Sequence, residues 1–330
     1  MTDHQAGSSD LIAPPRQSSR RSVVVAPGSS RIETVARPEP GPNEILVRVL
    51  VNGICASELP AWQRGQRGNG PITLGHEPVG RVLAVGAGVD VPTVGDMVTG
   101  RFDRSFADVI IASAEDAVIV PPGLPVESAI GEPLGCVVEA LRRSRVDVGD
   151  RVAVIGAGFM GLSLLQLLAT SEVAELTAID PREESREHAL VHGAAEAFDP
   201  PGVSTAGSLL GRFDAVFEVT GAQAGLDLAT ELVRPHGTLC IVGYHQGRRQ
   251  IDMQACNWKA LDIVNGHVRD RRRLADSTRR GLNLVANGRI KYGSLITHRY
   301  PLDYIDDAFE ALRIKPTGFI KAVIVLGDEH

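Results

Sequence analysis

The run Gly156-Ala157-Gly158-Phe159-Met160-Gly161 follows the apolar, strand-like Val152–Ile155 and opens the mostly apolar stretch Leu162–Leu168. A strand before and a helix after lift a G-x-G-x-x-G match above chance and constrain this part of the chain to a strand–turn–helix unit. Gly156 permits the sharp turn, Gly158 lets a pyrophosphate approach the backbone, and Gly161 lets helix and strand pack closely. The helix start offers unpaired N–H groups to phosphate charge. Phe159 and Met160 complete the loop. Nineteen residues beyond Gly161, at the end of the next strand, stands Asp180. Its carboxylate is suited to accept both ribose hydroxyls of NAD and to repel a 2′-phosphate, so NAD is expected over NADP. Arg182 pulls the other way. Thr220, Gly221, Gly243 and the Asn265–His267 loop, His267 included, close further strands on the carboxyl side, where ligands of such sheets bind.

The segment Val152–Ser171 runs twenty residues without a charge, the length of a membrane helix. The three glycines, Ser163 and Gln166 argue instead for a buried strand, a turn and a buried helix. Apolar residues make up 43% and charged residues 22%, as in an average soluble chain. The net charge of −6 offers no global field to nucleic acid or to an anionic membrane. Cys55, Cys136, Cys240 and Cys256 include no close pair, so a reducing, cytoplasmic setting is expected. Residues 1–22 lack the apolar core of a signal peptide and read as a disordered tail.

At 330 residues the chain is long enough for two domains. From Val23 to about Val120, short β segments (Ile45–Val51, Val79–Val85, Met97–Val98, Ala107–Ile111) are divided by Gly, Pro and Asp, as in a barrel-like antiparallel domain. After Pro121-Pro122-Gly123 strands alternate with helical stretches: Arg151–Ile155, Glu175–Ile179, Asp214–Val219, Gly237–Val242 and Leu261–Val264. That alternation predicts a parallel sheet with both faces covered. Near Thr297 the character changes again, with Leu302, Ile305, Phe309 and Leu312 at helical spacing and Phe319–Leu326 as a last strand. We expect this end to return to the first domain.

Cys55, His76 and Glu77 in the first half, with Glu132 just before the parallel sheet, offer a thiolate, an imidazole and two carboxylates. Such donors suit zinc, and three protein ligands with one open position is the catalytic arrangement. Neighbouring side chains of an extended segment point to opposite faces. His76 and Glu77 therefore share one ion only if the backbone turns between them, and Glu132 is an equal option as the acidic ligand.

With these residues in view, the chain resembles the medium-chain zinc-dependent alcohol and polyol dehydrogenase superfamily over nearly everything after residue 22. The matching segments are Val51–Leu59, Leu74–Gly80, Val94–Val98, Glu132-Pro133-Leu134, the glycine motif, Glu218–Gly221 and Pro301–Leu312. The resemblance implies an α/β protein: a GroES-like β-rich catalytic domain (23–128 and 297–330) plus a Rossmann doubly wound parallel-sheet coenzyme domain (129–296), with one zinc between them. It implies Cys55, His76 and either Glu77 or Glu132 as metal ligands, Ser57 as the residue that accepts the substrate's hydroxyl proton, and Trp62 as a pocket aromatic. The superfamily's lobe of four cysteines has no counterpart after Val98, so no structural zinc is expected. Glu58 stands where Asp is commoner, still placed to orient His76. Pro60 replaces a histidine that passes the proton to solvent.

The implied activity is hydride transfer between NAD(H) and a secondary alcohol or ketone. The glutamate-containing metal site is similar to the branch acting on sugars, polyols and cyclitols, and the missing lobe is similar to the deoxy-inosamine dehydrogenases of antibiotic biosynthesis. The implied partner is a small polar alcohol or ketone, in a homodimer or homotetramer. Two other readings keep the glycine motif: a metal-free enone or quinone reductase of the same fold, and a non-catalytic NAD-binding protein. The basic run Arg269–Arg280, interleaved with Asp270 and Asp276, reads as a solvated helix face or subunit contact.

Overall fold

The computed structural model describes residues 18–65, 72–206 and 209–327. It opens on strands β1 (Ser18–Ala26), β2 (Ser29–Ala36) and β3 (Glu44–Gly53), then helix α1 (Leu59–Arg64) and strands β4 (Pro78–Val85), β5 (Met97–Thr99), β6 (Val109–Ser113) and β7 (Val118–Ile119). Helix α2 (Gly131–Ser144) leads to β8 (Arg151–Ile155), α3 (Phe159–Leu168), β9 (Glu175–Ile179), α4 (Glu183–Val191), β10 (Glu196–Phe198) and α5 (Pro200–Ala206). There follow β11 (Phe213–Glu218), α6 (Gln223–Leu232), β12 (Val233–Ile241), α7 (Met253–Lys259), β13 (Asp262–Asn265) and α8 (Arg271–Ala286). Strand β14 (Ile296–Pro301), helix α9 (Ile305–Ile314) and strand β15 (Lys321–Val325) end the chain.

The six strands β8–β13 form one parallel sheet in the order β10-β9-β8-β11-β12-β13. The order reverses between β8 and β11, which opens a crevice at the carboxyl ends of those two strands. Val152, Ala153 and Val154 of β8 are fully buried because helices cover both faces of the sheet. The uncharged run is thus strand β8, the glycine turn and helix α3. No helix of the described residues is long and apolar enough to cross a membrane.

The other sheet is mixed, in the order β14-β15-β3-β4-β5-β7, with β6 also paired to β3. The end of the chain returns to it: β15 lies antiparallel to β3, Val323 opposite Gly53. The central strand β3 is buried along most of its length, which fixes the path of the residues that follow it.

The segment read as a tail needs correction at its end. Residues 1–17 lie outside the described residues, but Ser18–Ser22 are part of β1, paired residue by residue with β2. Arg20 anchors the strand, its backbone N–H and guanidinium both reaching Asp108, and the Ser22 N–H donates to the Phe106 carbonyl. A polar composition hid a strand whose partners come from far along the chain. Strand β12 also begins four residues before the expected Gly237, and β6 two residues after the expected Ala107.

The basic run is tied to acids. Arg271 at the start of α8 pairs with Asp116 at 2.6 Å and Asp103 at 3.1 Å and donates to the Arg101 carbonyl. Arg272 pairs with Glu115 and Arg273 with the buried Glu139. Through Asp103 and the Arg101 carbonyl, Arg271 binds α8 to the short 99–104 segment, while the other pairs tie it to Glu115, Asp116 and α2.

Candidate metal and dinucleotide site

Cys55 follows directly on the buried end of β3, and His76 and Glu77 lie just before β4, the next strand of the same sheet. Sheet pairing thus closes a sequence gap of twenty-one residues, and Cys55, His76 and Glu77 each bring one ligand atom within 4.8 Å of the others. His76 and Glu77 both reach the cluster, and the segment just before them bends at Gly75, whose φ is +101° and whose N–H donates to Glu58 Oε1 at 2.6 Å. The same oxygen lies 3.1 Å from His76 Nδ1, so Glu58 orients the imidazole. The Ser57 hydroxyl donates to Cys55 Sγ at 3.2 Å.

The electrostatics of the cluster call for a cation. His76 is pushed up to about 12: burial alone would lower it, but hydrogen bonds and charge attraction from Cys55 and Glu58 outweigh burial. Burial would likewise raise Glu77, yet the charges of Lys321 and His76 hold its carboxyl below the ordinary value. A proton on His76 here stands in for positive charge that a metal ion would bring. A sulfur, a nitrogen and a carboxylate oxygen converging in a half-buried cluster fit zinc.

Glu132, the second residue of α2, is buried but not among the three converging donors. Burial pushes its carboxyl up, the charge of Glu77 adds to this, and His76, Arg101 and Lys321 offset only part. One turn on, Cys136 Sγ lies 3.6 Å from Glu132 Oε1, its thiol also pushed well up by burial. Trp62, the expected pocket aromatic, is 5% exposed. It stacks on Phe309 at 5.4 Å between centroids, its indole N–H donates to Asp306 at 2.7 Å, and it is part of the catalytic domain's core.

The glycine loop has the geometry that its spacing predicts. Gly156 sits at φ +98°, and a Cβ on Gly161 would run into the Gly156 carbonyl oxygen. Gly158 is the extended residue before α3, with nothing within 4 Å of where a Cβ would be, so its face is free for a ligand. Phe159 is the first residue of α3, followed by the half-buried Met160. Asp180 at the end of β9 accepts from the Ala157 N–H and the Arg182 N–H, both at 2.9 Å. The Arg182 guanidinium lies 3.3 Å from the same carboxylate, so it must share Asp180 with any ribose bound there.

At the far lip, Thr220 and Gly221 donate their N–H groups to the buried Glu218 carboxylate, and the Gly243 N–H donates to the Glu218 carbonyl. The other carboxylate oxygen of Glu218 pairs with His245 Nε2 at 2.8 Å. His267 Nε2 lies 3.2 Å from the Gly243 carbonyl, and burial chiefly lowers its pKa. Gln246 reaches across to the Ala56 carbonyl, between Cys55 and Ser57, and so ties this lip to the metal cluster.

Four residues of this centre were not singled out by the sequence argument. Lys321 Nζ meets Glu77 Oε2 at 2.6 Å, with both side chains buried. Glu218 organises the far lip. Tyr292 is fully buried with its hydroxyl unpartnered, and Cys136 backs Glu132. For Lys321 there was a signal: it is a lone charge at the start of an otherwise apolar strand.

Comparison with known proteins places both halves. Residues 41–122 match the alcohol dehydrogenase GroES-like domain, and residues 160–283 match the zinc-binding dehydrogenase family. The chain is 30% identical over 332 aligned positions to sorbitol dehydrogenase of Gallus gallus, covering 88% of this chain and 92% of that protein. It is 27% identical to L-threonine 3-dehydrogenase of Pyrococcus horikoshii, covering 88% and 93%. The structure of the alcohol dehydrogenase TADH from Thermus sp. ATN1 superposes with a TM-score of 0.82 at 26% identity, covering 93% of this chain and all of that one. With the sequence likeness running through both sheets and the cluster between them, the chain belongs to the zinc-dependent medium-chain alcohol and polyol dehydrogenase superfamily, oxidoreductases acting on CH–OH groups.

Proposed function

We propose that this protein transfers hydride between NAD(H) and a secondary alcohol or ketone borne by a sugar, polyol or aminocyclitol. One observation carries the reading: Cys55, His76 and Glu77 converge within 4.8 Å, in the half of the chain that packs against the glycine loop. Cys55 and His76, with the carboxylate of Glu77 or Glu132, would hold a single zinc. When bound, zinc lowers the pKa of a coordinated hydroxyl by many units and NAD accepts the hydride.

The chain's own residues set the rest. Glu58 holds the His76 ring by Nδ1 and leaves Nε2 as the donor nitrogen. Ser57, two residues from Cys55, takes the hydroxyl proton of the substrate and passes it outward, since Pro60 offers no group to continue the path. Gly156–Gly161 and the start of α3 receive the pyrophosphate. Asp180 accepts ribose hydroxyls and favours NAD, while Thr220, Gly221, Gly243 and His267 line the crevice at the nicotinamide end. The Gln246 bridge to Ala56 holds that end against the reacting centre. The likeness to sorbitol dehydrogenase supports a polyhydroxy substrate.

A screen of sugars, polyols and cyclitols with NAD at alkaline pH, followed at the NADH absorbance together with zinc analysis, tests the proposal. Turnover of one such compound by zinc-containing protein is expected. Full activity in protein free of zinc, and unaffected by a chelator, sinks it.

A further inference from the structure

Lys321 lies at the start of the last strand, yet its ammonium group is the meeting point of three parts of the molecule. It forms the 2.6 Å ion pair with Glu77 Oε2, donates to the Ile54 carbonyl at 2.9 Å, and sits 4.6 Å above the centroid of the Phe159 ring. Two of its N–H groups are used by the oxygens of Glu77 and Ile54, and the ring face receives the charge. Ile54 precedes Cys55. Phe159 is the first helical residue of the glycine loop, and its ring also rests on Tyr292 at 5.4 Å. One buried cation thus touches a residue of the metal cluster, the backbone beside another, and the ring of the residue that opens helix α3 directly after the glycine turn.

Each contact competes for the same charge. A cation gains from a ring face and from a carboxylate, more so when buried away from water. A shift of the Phe159 ring on filling the loop therefore changes how firmly Lys321 holds Glu77, and hence what that carboxylate has left for a metal. The geometry points to Lys321 as a positioning residue that couples the two sites: through Phe159 and Glu77 it makes metal affinity depend on dinucleotide occupancy, and the converse. The coupling rests on the functional reading above, and linkage requires it to be equal in both directions.

Zinc affinity, read by competition with a chromophoric chelator, is measured on the full chain with and without saturating NADH. NADH binding is followed separately by its fluorescence, in the wild type and in Phe159→Leu and Lys321→Met. In the wild type NADH is expected to change zinc affinity by about fivefold or more, the low end of ordinary coupling between two sites. Zinc is expected to change NADH affinity by the same factor. Phe159→Leu leaves the Lys321–Glu77 pair in place and is expected to bring the factor close to one while zinc still binds. Lys321→Met is expected to do the same, and Phe159→Leu alone decides the matter if that variant does not fold. A factor near one in the wild type, or one kept undiminished in Phe159→Leu, overturns the coupling. A wild type that binds no zinc overturns the functional reading instead.

Discussion

Glu77 and Lys321 are 244 positions apart in the chain and meet at 2.6 Å, with side-chain exposures of 1% and 6%. A carboxylate and an ammonium so deep are each costly to bury alone, and their attraction offsets that cost only while both are present. The partner of a residue in the metal cluster is therefore part of what keeps the metal-free protein folded.

Replacing Lys321 by Met is expected to destabilise the protein by about 3–5 kcal/mol, the usual cost of leaving one member of a buried pair alone. The double variant Lys321→Met/Glu77→Gln is expected to recover part of that loss, because no uncompensated charge remains. Urea titration of metal-free protein measures both. Equal stability of the single and double variants would show that the pair is not the cause.

Cys55→Ala removes the only sulfur of the converging set. Turnover is expected to fall below detection and bound zinc to be lost, while NADH still quenches or enhances protein fluorescence as in the wild type. Retained turnover would falsify the assignment of Cys55 as a ligand.

Asp180→Gly removes the carboxylate at the end of β9 and frees Arg182, now paired to it at 3.3 Å. A charge-assisted hydrogen bond is worth about 1.5–3 kcal/mol, so the ratio of kcat/KM with NAD to that with NADP is expected to fall by about tenfold or more. An unchanged ratio would place the ribose elsewhere.

The pH dependence follows from His76. Its pKa is raised from 6.5 to about 12 in the metal-free cluster, by Cys55 and Glu58 against the opposing effect of burial. A raised folded value stabilises the folded state, fully below pH 6.5 and progressively less as pH climbs toward about 12. Zinc needs the unprotonated imidazole, so its uptake must expel this proton. Calorimetry in buffers of different ionisation enthalpy is expected to register proton release on zinc binding at pH 7 and an affinity that rises with pH. Binding without proton release would mean that His76 is already neutral or is not a ligand.

Much of the nucleotide half was legible because its signals are local. The boundaries of β8 and β9 were read from apolar runs, and Gly156 and Gly161 of the loop perform the steric tasks that their spacing implied. The metal cluster was legible through resemblance more than through spacing: Cys55 converges with His76 and Glu77 only because β3 and β4 pair. Trp62 shows the reverse. Its position suggested a pocket, but the aromatic stack on Phe309 and the bond to Asp306 claim both its face and its N–H. Strand β1 was missed at Ser18–Ser22 because its partners, among them Asp108 and Phe106, lie more than eighty residues away. Lys321 was missed for the same reason on a larger scale.

The return of β15 to the sheet begun by β3 has a consequence for biosynthesis. A ribosome delivers Cys55, His76 and Glu77 first, and the counter-ion that makes Glu77 tolerable in the interior follows 244 residues later. Until the terminal strand docks, the nascent chain carries a half-built acidic pocket exposed to water, and long-range pairing of this kind is slow. Closure of the cluster around Glu77 thus waits on the docking of β15 against β3.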